Sequence, residues 1–206
     1  MQKDGGFVNR KHILQLILGG LFCALFFVSS NILPPICIIP GVPVTLQIMV
    51  VTLTAAVLGL RGGLLTLATI YLMTAAGVPM MSGFSGGAAA FLKPTAGFII
   101  GWVFLVLAVG LYEDLLAPRL RAGKAGQALY FAGFTAAGVL GVLLDYLCGA
   151  AFLAVYNGAP GALLPTFAAT LVSFGLFDAA KIAGAAVLSA AAFAAVSKIA
   201  GHKSRA

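Results

Sequence analysis

Charged side chains are scarce in this sequence. The 12 Lys and Arg residues and the 5 Asp and Glu residues make up 8% of its 206 residues, against about 25% in an ordinary soluble domain. Apolar residues account for 62%. The polar side chains are too few to cover the surface of a water-soluble protein. The sequence therefore predicts an integral membrane protein that is in contact with lipid along most of its length.

The residue patterns of metal, redox and nucleotide chemistry are also missing. Cys23, Cys37 and Cys148 form no CxxC pair, and His12 and His202 lie at opposite ends of the chain. The sequence contains no phosphate-binding loop, no GxSxG nucleophile elbow and no HExxH zinc motif. These absences predict a protein that is not an enzyme, has no metal site or cofactor, and does not hydrolyse ATP itself.

The net charge of +7 does not indicate a nucleic-acid partner, because the basic residues cluster at the ends of apolar runs instead of lining one polar face. Stretches of roughly 20 apolar residues predict transmembrane helices. Six such spans are predicted, at residues 13–33, 44–60, 64–77, 96–112, 127–156 and 167–200. The first is predicted to be a membrane helix and not a cleaved signal peptide, because it is longer than a signal core and is followed by several prolines.

The placement of basic residues supports an even number of spans. With six helices and a cytoplasmic N-terminus, ten Lys and Arg residues fall on the cytoplasmic side and only Lys93 falls outside, as the positive-inside rule requires. The predicted architecture is an all-α polytopic protein in a prokaryotic cell membrane, forming one integral membrane domain over residues 1–206. Residues 1–12 and 201–206 are its cytoplasmic ends, and residues 13–200 form a six-helix bundle.

The two longer outer loops differ in composition. The first, residues 34–43, is rich in proline and should be stiff and extended. The second, residues 77–97, has about 20 residues and many apolar side chains. It is predicted to fold back onto the helices between the third and fourth spans, as a lid or a re-entrant segment.

Three ionisable residues lie inside apolar runs, where a charge costs about 2.5 to 3.5 kcal/mol at the bilayer centre. Asp178 and Lys181 are three residues apart and so share one helix face. They either neutralise each other as a structural bridge, or line a ligand pocket in which Lys181 meets an anionic group. Asp145, followed by Tyr146, is either a pocket residue or a partner for groups between helices. Lys93 is either a surface residue or part of the same site.

The first predicted helix carries a small-xxx-small spacing at Gly20 and Ala24. Such notches let another membrane helix approach closely. Glycine and alanine are abundant throughout the chain, so the spacing alone is a weak signal of a partner surface.

Several segments taken in order resemble the BioY family, the biotin-specific substrate-binding S components of energy-coupling factor transporters. They are PGVPVTLQ, LGLRGG, YLMTAAGVPMMSGFSGGAAAFLKPTAGFIIGW and FDAAK. The resemblance implies a six-helix protein that captures biotin from outside with high affinity. It also implies a separate energising module, made of a transmembrane coupling protein and two cytoplasmic ATPase subunits. Whether this chain works with or without that module stays open.

The resemblance also implies roles for particular residues. Asp178 and Lys181 match the acidic residue and the lysine of the last helix, and Thr45 and Gln47 match polar positions at the end of the first outer loop. A second group matches the loop that closes over the vitamin: Gly83, Phe84, Ser85 and Gly86. Gly20 and Ala24 match the surface that meets the coupling protein.

This sequence departs from the family pattern at two places. Gly83 replaces an asparagine, so that Ser82 or Ser85 would have to supply a polar group, and Lys93 adds a cation that could contact the biotin carboxylate. The leading prediction is a biotin-binding transport subunit. The alternatives are an S component for another small vitamin, and a structural or assembly protein of the membrane.

Overall fold

The computed structural model describes residues 10–32, 36–39, 42–120 and 123–201. The remaining residues, including most of the predicted cytoplasmic ends, lie outside the described part of the chain. The described helices are α1 (Arg10–Asn31), α2 (Gln47–Ala75), α3 (Ala96–Leu115), α4 (Ala117–Leu120), α5 (Gly123–Tyr156) and α6 (Leu163–Gly201), with short 3-10 helices at Ala88–Leu92 and Pro160–Ala162.

The long helices form where the sequence is continuously apolar. Within the described residues, five helices are long and apolar enough to cross a membrane, namely all except the four-residue α4. The side chains of these helices face either lipid or one another, so the helices need no polar face. The prediction from composition of a helical, membrane-spanning protein is confirmed.

Most of the second and of the third predicted span falls within α2. The backbone of α2 leaves helical geometry at Gly59, where φ is 69° and ψ is −173°. A Cβ atom added to Gly63 would lie 3.2 Å from the Cα of Ala55, although eight residues of straight helix extend about 12 Å. Residues 47–58 and 60–75 therefore lie side by side, joined by a sharp turn.

The turn at Gly59 lies against the end of α3. The backbone N–H of Leu60 donates to Asp114 Oδ2 at 3.1 Å, which caps the second half of α2. A Cβ on Gly59 would lie 2.3 Å from Asp114 Oδ1. Glycine is required here both by the backbone angles and by the close approach of Asp114.

One end of the bundle contains a cavity that is described below, and we call it the cavity end. The end of α1 and the start of α2 lie there, together with the start of α3, the end of α5 and the start of α6. α3 is the most enclosed of the spanning helices: 67% of an 18-residue apolar stretch of α3 is buried inside the protein, against 28% of the corresponding stretch of α1. It packs between α2 and α5, and a Cβ on Gly97 would lie 2.6 Å from the carbonyl oxygen of Cys148. Small residues allow this close approach of α3 to α5.

Two connections cover the cavity end. Between α1 and α2, strands β1 (Ile36–Ile39) and β2 (Val42–Val44) pair antiparallel. The extended backbone was expected from the sequence, but the pairing was not, because the residues of one strand do not specify which strand it pairs with. Between α2 and α3, residues 76–95, here called the α2–α3 loop, fold into turns and one 3-10 helix.

Candidate functional site

A cavity of about 320 Å³ lies at the cavity end. Its lining comes from β2 and the start of α2, the α2–α3 loop, α3, α5 and α6. Ligand sites of membrane bundles and transporters lie where several elements converge around non-helical backbone. The size falls within the range of small-molecule pockets, about 300 to 1,000 Å³.

Asp178 and Lys181 lie in this cavity as a buried ion pair. Lys181 Nζ is 2.6 Å from Asp178 Oδ1, and the Tyr146 hydroxyl donates to Asp178 Oδ2 at 2.5 Å. Asp178 is 2% exposed and Lys181 is 9% exposed. The i, i+3 spacing does bring the two groups together, and each carboxylate oxygen has a donor, so the charges are balanced within the site.

Asp145 is fully buried beside this pair and also lines the cavity. Neither of its carboxyl oxygens has a hydrogen-bond partner among the described residues. A Cβ on Gly101 would lie 2.2 Å from Asp145 Oδ1, so α5 reaches α3 closely at this point. A buried polar group without a partner is costly, and the open oxygens could accept hydrogen bonds from a ligand.

The start of α2 contributes two polar side chains to the lining. The Thr45 hydroxyl donates to Gln47 Oε1 at 2.7 Å. The Gln47 amide nitrogen lies 4.0 Å from Met81 Sδ, and the Gln47 side chain is 6% exposed. Both residues were singled out from the sequence, and both face the cavity.

The α2–α3 loop covers the cavity with part of its length. Gly83, Ser85 and Lys93 line it, together with Ser82. Lys93 Nζ donates to the Ser85 hydroxyl at 2.8 Å. Lys93 is exposed, so it lies at the mouth.

Phe84 and Gly86 do not line the cavity, although the sequence analysis placed them in the site. Phe84 is 62% exposed and its ring contacts Phe27 in a T-shaped arrangement. A Cβ on Gly86 would lie 2.6 Å from the carbonyl oxygen of Val78, so this glycine packs within the loop. Alternate residues of a tight turn point in different directions, which motif matching alone does not reveal.

The apolar walls were not identified from the sequence. Phe98, Trp102 and Phe174 line the cavity, and Trp102 packs edge-on against Phe26 with ring centroids 5.4 Å apart. Phe98 and Trp102 are four residues apart at the start of α3, on one helix face. The one usable signal was that Trp102 is the sole tryptophan, but an aromatic residue in a membrane helix is not specific evidence for a site.

No described residue of α1 lines the cavity, and the notch at Gly20 and Ala24 on this helix faces outward. Both residues are exposed, and a Cβ on Gly20 would meet nothing within 4 Å. Among the described residues no group of three or more His, Cys, Asp and Glu side chains could hold a metal ion.

Comparisons with known proteins agree with this architecture. The BioY family model matches residues 2–198. A protein of Rhizobium etli named biotin transporter BioY is 36% identical over 146 residues, which are 70% of this chain and 75% of that protein. A biotin transporter BioY of Rhodobacter capsulatus is 38% identical over 129 residues, covering 63% of this chain and 67% of that protein.

A solved structure is similar over most of the chain. It is the crystal structure of the S component for biotin from an ECF-type ABC transporter, with a TM-score of 0.75 and 25% identity. The match covers 89% of this chain and 93% of that structure.

Proposed function

We propose that this chain, which belongs to the BioY family, is a high-affinity substrate-capture subunit that binds biotin for an ECF-type uptake transporter. It binds and moves its ligand without changing it chemically and is not an enzyme. The observation that carries this proposal is the cavity itself, in which polar and apolar groups of the kinds that biotin needs converge. Biotin has a ureido ring with two N–H donors, an apolar bicyclic body and a carboxylate at the end of a flexible chain.

The ureido ring fits the deep side of the cavity. Asp145 has two buried oxygens without a partner among the residues the structure describes, and Asp178 lies beside it. N–H donors from the ligand would satisfy these two oxygens and remove the cost of burying them without a partner. Gln47 offers a further amide within the same lining.

The carboxylate fits the mouth. From the sequence, this contact was predicted for Lys181, with Lys93 as an addition. The charge of Lys181 is already balanced by Asp178 at 2.6 Å. Lys93 bonds to the neutral Ser85 hydroxyl, and it has no acidic partner within the described part of the chain. An anion therefore gains more from Lys93, and the ligand lies with its ureido ring inward and its chain toward Lys93.

The apolar body fits between the walls. Phe98, Trp102 and Phe174 are all buried to below 9% exposure and line the cavity between its deep side and its mouth. Aromatic rings supply large apolar contact area with few rotatable bonds, so binding orders little of the protein.

The same proposal includes six membrane crossings. Residues 47–58 and 60–75 of α2 are separated by the Gly59 turn, and their close contact supports counting them as two antiparallel spans. Both chain ends then lie on the side opposite the cavity. The positive-inside bias of the sequence makes that side cytoplasmic and opens the cavity outward. Residues 1–206 form a single integral membrane domain in a prokaryotic cell membrane.

Transport requires energy from other subunits. We propose a transmembrane coupling protein and two cytoplasmic ATPase subunits as partners, with ATP used only there and no cofactor in this chain. The exposed notch at Gly20 and Ala24 suits the coupling protein, because small residues let a partner helix approach closely. The remaining outward surface contacts membrane lipid.

Binding of tritiated biotin to the detergent-purified protein tests this function. We expect saturable binding that excess unlabelled biotin abolishes and that thiamin or riboflavin leaves unchanged. The double variant Asp178→Asn, Lys181→Met keeps this part of the lining neutral, so it should retain its thermal stability, and it should bind biotin more weakly because the ureido N–H groups lose the neighbouring Asp178 carboxylate. Single substitutions are less informative, because they leave one buried charge without its partner.

Other outcomes point to the alternatives. Displacement by another vitamin would identify an S component for that vitamin. Folded protein without saturable binding of any of these ligands would favour a structural role for the Asp178–Lys181 bridge.

A further inference from the structure

The end of α1 is joined to the tip of the α2–α3 loop by one side chain. Asn31 is the last residue of α1. Its amide nitrogen donates to the Phe27 carbonyl oxygen at 3.2 Å and to the Pro79 carbonyl oxygen at 3.0 Å. Its side-chain oxygen accepts the backbone N–H of Phe84 at 2.6 Å. Asn31 thus bonds to the loop at two points that are five residues apart.

The loop tip has little other support. Met81 and Ser85 exchange backbone hydrogen bonds of 3.0 and 3.1 Å, which closes a turn over residues 82–84. Among the described residues, the bond from Phe84 to Asn31 is the one hydrogen bond that ties these three tip residues to the rest of the protein. Ser82 and Gly83 of this tip line the cavity.

The tip conformation is one that a phenylalanine rarely adopts. Gly83 has φ of 71° and Phe84 has φ of 55°. Phe84 is the one non-glycine residue with positive φ in the described chain. Such a conformation persists where neighbouring contacts hold it. Here the contacts are the Asn31 oxygen on the Phe84 N–H and the Phe27 ring, 6.2 Å from the Phe84 ring between centroids.

We propose that Asn31 is a positioning residue that holds the tip of the α2–α3 loop closed over the cavity and thereby slows ligand release. Asn31 does not line the cavity, so it acts on the ligand only through the loop. The ligand in question is the biotin of the proposed function, on which this inference rests. Loss of the latch should increase the fraction of open loop, which raises the dissociation rate, and because the ligand passes the same loop on entry, the association rate should rise as well.

Two measurements on the full-length purified protein test the latch. The first is the release of tritiated biotin after an excess of unlabelled biotin is added. In Asn31→Leu, which loses the bonds to both Pro79 and Phe84, we expect release about tenfold faster, consistent with two lost hydrogen bonds. The second is hydrogen exchange of the peptide covering residues 79–87 in protein without biotin. We expect exchange of the Phe84 amide to speed up by about the same factor.

Asn157→Leu is the matched control. Asn157 follows the end of α5 at the same end of the bundle and is exposed, so the same substitution there should change neither measurement. Asn31→Asp is a nearly isosteric second variant in case Asn31→Leu does not fold. It keeps an acceptor for Phe84 and loses the donor to Pro79, so release should again be faster, by a smaller factor.

The two arms separate failure of the latch from failure of the biotin proposal. If the wild-type protein binds no biotin, the exchange experiment still tests whether Asn31 holds the loop. If Asn31→Leu, or Asn31→Asp where the first variant is unfolded, matches Asn157→Leu in both release and loop exchange, the inference is overturned. Faster loop exchange with unchanged release would also overturn it, because the latch would then not control the ligand.

Discussion

Two lysines line the cavity, and their surroundings give them different roles. Lys181 is buried and paired with Asp178, whereas Lys93 is exposed at the mouth and bonded to a neutral hydroxyl. Sequence alone favoured Lys181 as the anion-binding group because a lysine inside an apolar run stands out. The ion pair changes that preference, because a charge that is already compensated attracts an added anion weakly.

The first residue-scale prediction concerns Lys93. In Lys93→Ala we expect biotin to bind about three- to tenfold more weakly, which is modest because the lysine is solvent-exposed. Biotin methyl ester, which lacks the negative charge, should bind the variant and the wild type equally well. Equilibrium binding of both ligands to both proteins checks this. An equal loss for the two ligands would show that Lys93 does not contact the carboxylate.

Residue spacing predicted part of the site but could not predict the rest. The i, i+3 spacing of Asp178 and Lys181 was enough to predict that they meet, because helix geometry fixes that distance. That Phe174 and Trp102 line one cavity depends on how α3 and α6 pack. The orientation of Phe84 away from the cavity depends on a turn held by Asn31. Neither relation is local in the sequence.

At the scale of the elements, α2 shows how one glycine determines topology. LGLRGG was part of the family resemblance and lies across the boundary between the second and third predicted spans. The structure places a sharp change of direction at Gly59, next to Arg61, inside what is otherwise one helix of 29 residues. Hydropathy alone does not locate such a turn, because glycine and leucine occur on both sides of it.

Gly59→Ala should destabilise the fold. The backbone angles lie in a region that is essentially restricted to glycine, and the new methyl group would overlap Asp114. We expect the free energy of unfolding to fall by about 2 kcal/mol or more, seen as a lower thermal midpoint of the purified protein in detergent.

Gly175→Ala is the control for this change. A Cβ at Gly175, inside α6, would meet only Leu171 Cδ1 at an ordinary 3.5 Å, so stability should be unchanged or slightly higher. Equal midpoints for the Gly59 and Gly175 variants would contradict the turn described here.

At the scale of the whole molecule, α1 contacts the loop over the cavity at one end and has an exposed surface in its middle. One end carries Asn31, which bonds to the loop over the cavity, and the middle carries the exposed notch at Gly20 and Ala24. α1 is also the least buried spanning helix, because only 28% of its 18-residue apolar stretch is buried inside the protein. A partner that packs on the notch would therefore touch the same helix that holds the loop.

The notch can be tested by separating capture from transport. Ala24→Leu should leave biotin binding to the isolated protein unchanged, because Ala24 is exposed and does not line the cavity. Co-purification with the coupling protein and biotin uptake by cells should both fall, by about tenfold, because leucine prevents close helix approach. Ala68→Leu changes another exposed alanine, on α2; it is the control and should retain both. Normal uptake with Ala24→Leu would remove the notch from the partner interface.

The sequence by itself determined that lipid surrounds this protein and that its long helices are apolar. A chain with 8% charged residues and long apolar runs must satisfy its backbone within helices and leave its side chains to lipid. The ordered motifs determined the family. Tertiary structure alone decided where the cavity lies, which of its two lining lysines is exposed at the mouth, and what holds the loop over it. The physical reason is that composition and periodicity act along one segment, whereas the lining of the cavity, the surroundings of Asp145 and the bonds of Asn31 each depend on groups from several packed elements.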